Sequence, residues 1–233
     1  MRFAVLALVF WISLSPARGQ AHELAPETQA SLRAEIEDML AWDQRVRYMN
    51  TVGTFDPEVA DRIGRQLAAM PIERNFAVSD SLKKVAQERL TPAEKDSLKA
   101  LWHRVDLENI QRLREIVAAH GWPDTTRIGG SSNPFIFLLH THPDTLEAML
   151  PMLRIEVLEG RMPPRQYAMS VDKSRQIRGE AQLYGTAGVF DPTTRTVGPP
   201  QVESIAETNA ARREIGLAPL DEYEEVASPS SHR

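Results

Sequence analysis

The chain has 233 residues, with 27 basic and 32 acidic side chains, a formal net charge of −5 and no cysteine. A mildly acidic balance disfavours nucleic acid and anionic lipid as partners, and the lack of cysteine excludes disulfides and thiol chemistry. Its 42% hydrophobic and 25% charged residues describe a globular domain long enough to bury a core.

The first residues stand apart. Met1 and Arg2 give a positive start, an apolar run follows from Phe3 to Leu14, and Ala17, Gly19 and Ala21 supply small residues behind Pro16. This is the three-part layout of a secretory signal peptide, here residues 1–21. The apolar run falls short of the roughly 20 residues that a membrane-spanning helix needs. Cleavage fits after Gly19 or after Ala21. Losing Arg2 and Arg18 would move the net charge from −5 to −7. The expected location is periplasmic or secreted, with no membrane contact after cleavage. A helical domain is expected over 22–226 and a disordered polar tail over 227–233.

The pattern over 22–226 predicts a mainly α fold, a single domain of about six helices. The first spans about Pro26 to Met49, with Leu32, Ile36, Met39, Leu40 and Val46 at helical spacing. A shorter one follows Asp56-Pro57, a capping residue with proline at the first helical position. Thr91-Pro92-Ala93-Glu94 is a capping box that opens a long helix to about His120, and Gly121-Trp122-Pro123 stops it. Further helices are expected from Asp144 to Glu159, from Pro163-Pro164 to near Gly179, and from Val202 to Ile215. Gln182 to Val189 reads as a short extended or hairpin element, near residues 180–190.

Helical phase singles out several polar residues. With Leu32 at zero and about 100° per residue, Asp43 falls near 20°, inside the apolar stripe of the first helix, and Arg47 near 60°. A buried lone carboxylate costs several kcal/mol, so Arg47, four residues on, is its natural partner. On the long helix, with Leu98 at zero, Asp106 falls near 80° and Asn109 near 20°, again inside the stripe. Three polar residues on two inward faces predict a shared polar pocket or a buried network.

His140-Thr141-His142-Pro143-Asp144 has the spacing of a metal-binding hydrolase segment. On a strand His140 and His142 share a face; on a helix they lie about 200° apart. Ser132-Asn133-Pro134 is a helix start, and in that helix Phe135, Leu138, Leu139 and His142 fall at i, i+3, i+4 and i+7. His142 is thus expected to face inward and His140 away. No metal or other cofactor is expected; a metal, if bound, would fall to His140, His142 and Asp144. The chain has no Gly-x-Ser-x-Gly elbow, phosphate loop, His-Glu-x-x-His or dinucleotide fingerprint.

Taken in order, Asp106-x-x-Asn109, His120-Gly121-Trp122-Pro123, Gly129, His142-x-Asp144, Tyr167-Ala168, Asp172, Gln182-x-Tyr184-Gly185-Thr186 and Asn209-x-x-Arg212-x-x-x-Gly216-Leu217 form a set. The set resembles a bacterial family of exported and cytoplasmic proteins classed as a domain of unknown function. Its markers look like D-x-x-N, GWP, QH-x-D, YA-x-x-x-D-R and Q-x-YGTQ, and the resemblance covers about residues 40–225. It implies that His142 is the family's single histidine and that His140 stands where the family is usually apolar. The chain departs from the pattern at Thr141, Lys173 and Ala187, in place of Gln, Arg and Gln.

Two functions fit these residues. The first is a binding or interaction domain for an unknown small molecule or protein, with a polar network around His142 that includes Asp43, Arg47, Asp106, Asn109, Gln182 and Tyr184. The alternative is a periplasmic hydrolase-like enzyme in which His142 is the general acid or base, oriented by Asp144 or Asp172.

Overall fold

The computed structural model describes residues 23–131, 133–191 and 196–220. The expected signal peptide and polar tail lie outside the described residues. The fold is mainly α, with nine helices among these residues. Helix α1 (Pro26–Val52) packs against α2 (Pro57–Ala68), α3 (Ile72–Arg89), α4 (Pro92–His120) and the single turn α5 (Thr125–Ile128). The short α6 (Phe135–His140) touches α4 and α8 (Pro164–Ile177), and α7 (Pro143–Leu158) pairs with α8. A hairpin of β1 (Gly188–Asp191) and β2 (Thr196–Pro200) precedes α9 (Ile205–Glu214).

The start signals act as their chemistry requires. Asp56 accepts from the Glu58 and Val59 amides with Pro57 behind it, and Thr91 and Glu94 close a reciprocal capping box on α4. Both satisfy amides that a helix leaves unpaired in its first turn. Helix α2 comes close to α1 at Gly64, where an added Cβ would stand 2.5 Å from the Tyr48 ring; only glycine admits that approach.

Three apolar clusters make the core. Val46, Met49, Ala60, Leu98 and Val105 fill one end of the α1–α4 pair, and Leu32, Ile36, Ile116 and Ile128 fill the other. The largest cluster joins Leu113, Trp122, Phe137, Leu138, Leu146, Leu153, Tyr167 and Tyr184. Helix α4 contributes to all three. Among the described residues no helix is long and apolar enough to cross a membrane.

One expectation is corrected. The helices number nine among the described residues rather than about six, because α3 and α5 were not expected and the short α6, which the Ser132-Asn133-Pro134 start announces, stands outside the six. Helix α3 lacks a readable stripe, since its Ile72, Phe76 and Val85 are exposed and, among its described side chains, Ala86 alone is buried. The short extended element near residues 180–190 is present: β1 pairs antiparallel with β2, Val189 opposite Gly198 and Phe190 opposite Val197. Gln182 meets Val202 in an isolated bridge. The amides of Leu183, Tyr184 and Thr186 are bound to the Asp172 carboxylate, so this stretch cannot spend them on a ladder.

Candidate functional site

Asp43, on the buried face of α1, is only 1% exposed and must be paired to be tolerated there. Arg47, one turn on, donates from Nε to Asp43 Oδ2 at 3.0 Å and from Nη2 to Oδ1 at 3.1 Å. Gln44 Nε2 adds a third donor at 2.9 Å. Arg47 Nη2 also reaches Asp106 Oδ1 on α4 at 2.5 Å, and the guanidinium lies over the Trp102 ring, 4.9 Å from its centroid. One arginine thus clamps two carboxylates from two helices.

The third helix to reach this point is α6. Its last residue, His140, sets Nδ1 at 3.3 Å from Asp43 Oδ1 and 3.2 Å from Oδ2. Facing an ionised carboxylate, the neutral ring carries its proton on Nδ1, an assignment that follows from this contact, and keeps a lone pair on Nε2. Lys173 of α8 donates to the Leu138 carbonyl at 3.2 Å and also to that of Leu139. It thereby fixes the turn of α6 that carries His140.

The two carboxylates are pushed apart electrostatically. Burial raises Asp43, but the hydrogen bonds from His140 and Arg47, with the Arg47 charge, outweigh it and hold the group below its ordinary value. Burial also raises Asp106. There the Arg47 charge only partly offsets burial, the Asp43 charge adds to it, and the group ends above its ordinary value. Burial lowers Lys173, against the pull of Asp106. Neighbouring carboxylates driven in opposite directions are a recurring feature of sites that move protons.

This cluster borders a cavity of about 1010 Å³. Asp106 and His140 line it, while Asp43 and Arg47 stand behind them. Leu90, Leu98, Trp102 and Leu107 supply apolar wall, Lys95 and Lys99 add positive charge, and Thr141, His142, Asp144 and Thr145 line the side formed by α7 and its entry. Thr141 is 5% exposed, and its hydroxyl has no hydrogen-bond partner among the described residues.

The predicted site residues divide into three groups. Asp43, Arg47 and Asp106 meet as described. Asn109 follows one turn along α4, buried, with Nδ2 unpaired among the described residues. The two histidines exchange their expected places. His142 is the N-cap of α7, accepting from the Asp144 amide at 3.4 Å, with its side chain 67% exposed. Its Nδ1 stands 3.6 Å from the still more exposed Asp144 carboxylate. Pro143 explains the exchange: the residue before proline is driven out of helical conformation. Thr141 and His142 are therefore extended, and the i+7 register never reaches His142.

Asp172, Gln182 and Tyr184 form a different network. Asp172 accepts from the amides of Leu183, Tyr184 and Thr186 and from the Thr186 hydroxyl, all at 2.8–2.9 Å. Gln182 closes a two-way pair with Ala187. The Tyr184 carbonyl accepts from Arg212 at 2.6 Å, and its ring meets Tyr167 edge-on. These contacts pin the loop between α8 and β1 to α9.

The metal set also changes. Among the described residues, the three-ligand group whose donor atoms lie within 4.8 Å of one another is Asp43, Asp106 and His140, not His140, His142 and Asp144. Arg47 bridges its two carboxylates, so this group carries its own cation. His140, Thr141 and Trp102 were not singled out by helical phase as members of a pocket; His140 drew notice only as a possible metal ligand.

The model of a family of unknown function (DUF6624) matches residues 63–229, and the chain belongs to that family. No curated protein and no solved structure matches the chain. The match takes in Asp106, His140 and Lys173, whereas Asp43 and Arg47 stand upstream of it.

Proposed function

We propose that this family member is a small-molecule-binding domain whose ligand sits in the cavity against Asp106, His140 and Trp102. The observation that carries this reading is the meeting of a buried, charged cluster with a large, partly apolar cavity at just these residues. A concave apolar wall with a few convergent polar groups is the usual form of a ligand site. The domain would act outside the cytoplasm, a reading that rests on the signal-like residues 1–21.

The test is a melting-temperature screen against a library of polar and amphipathic metabolites, repeated with Trp102→Ala. A ligand present at 100 times its Kd stabilises by about 2.7 kcal/mol, a rise of roughly 5–10 °C for a domain of this size. Hits should shift the native protein and not the variant. A library that moves neither protein, or both equally, counts against the cavity.

A further inference from the structure

We infer that His140, backed by Asp43, is a general base that directs water onto the carbonyl of a small carboxylic ester bound in the cavity. The inference rests on the cavity being a ligand site and adds the reaction done there.

The geometry separates this arrangement from a merely structural ion cluster. Arg47 and Gln44 already satisfy Asp43, so the carboxylate does not need His140 for its burial. His140 nevertheless turns Nδ1 to Asp43 while lining the cavity. A histidine whose Nδ1 proton is held by a buried carboxylate has its tautomer fixed. Its Nε2 is then the free base. Arg47 is clamped by Asp106 and Trp102, and Lys173 anchors the end of α6, so both partners of the dyad sit on held elements. Asp43 does not line the cavity and is a positioning residue.

The wall selects the substrate. Leu90, Leu98 and Trp102 suit an apolar acyl or alcohol group. The chain has no cysteine, and among the described residues no serine lines the cavity; the nucleophile in the step below is water.

The step balances as a hydrolysis. His140 Nε2 removes a proton from water as the water oxygen bonds to the carbonyl carbon. The carbonyl electron pair moves onto oxygen. When the pair returns, the bond to the alcohol oxygen breaks and the proton on Nε2 passes to that oxygen. Ester and water become carboxylic acid and alcohol, and Asp43 remains a carboxylate throughout.

The experiment uses the full mature chain and p-nitrophenyl esters from acetate to octanoate. His140→Gln should lower kcat/KM by about 100-fold or more, and His120→Gln should leave it unchanged. Asp43→Asn should lower kcat, and Asp43→Glu should restore part of the rate. If His140→Gln fails to fold, the Asp43→Asn and Asp43→Glu rates decide. Binding is read separately as saturable quenching of tryptophan fluorescence by 4-nitroacetophenone, a carbonyl compound that cannot hydrolyse, with Trp102→Phe as control. Saturable binding without turnover, or equal turnover in native and His140→Gln protein, overturns the inference and leaves the cavity standing. No saturable quenching sensitive to Trp102 removes the cavity reading itself.

Discussion

At the scale of single residues, Asp43 and Asp106 make opposite predictions. Asp43 is held below its ordinary value, so its contribution is present above the unfolded carboxylate range and is lost as pH falls through the lower native value. Asp106 is raised, so the fold favours its neutral form; that contribution is complete at low pH and is lost as pH rises through the native value. Asp43→Asn should therefore cost about 3 kcal/mol near pH 7, with the deficit shrinking below about pH 4. Asp106→Asn should cost less near pH 7, with a deficit that grows on acidification. Urea melts of both variants from pH 3 to pH 7 check the two slopes; parallel slopes would contradict the opposed shifts. The inward placing of Asp43, Asp106 and Asn109 was legible because a long regular helix keeps its phase. The placing of His140 was not, because it depends on where a six-residue helix stops and on the restriction that Pro143 imposes upstream.

At the scale of elements, the loop between α8 and β1 is built on one carboxylate. Asp172→Asn keeps the shape but replaces one acceptor oxygen by a donor facing the Thr186 amide and hydroxyl. It should cost about 3 kcal/mol, or roughly 6–12 °C in melting temperature, and leave ligand binding in the cavity unchanged. Calorimetry with the screening hits measures both, and a loss of binding with an intact melt would return Asp172 to the site. Why α3 escaped the sequence while α4 did not is a matter of burial. Helix α4 threads three apolar clusters and so carries a stripe, whereas α3 turns Ile72, Phe76 and Val85 outward.

At the scale of the molecule, the mainly α class followed from caps and periodicity, and the candidate site did not. A cavity is a relation between α1, α4, α6 and α7, and no stretch of sequence holds all four. Export belongs at this scale too. Expression in a bacterial host with a secretion pathway should yield protein beginning at Gln20 or at His22, as intact-mass measurement will show; a mass that retains residues 1–21 would refute signal cleavage.

The arginine clamp has one more consequence, for anyone choosing where to cut this chain. A fragment drawn from the family match would begin at residue 63 and would discard α1 entirely. It would strip the partner from α2, α3, α4 and α5 together, lay Leu98, Val105 and Ile116 open to water, and leave Asp106 facing a vacancy where Arg47 had been. The boundary of recognisable kinship and the boundary of the working molecule fall in different places here, separated by one helix.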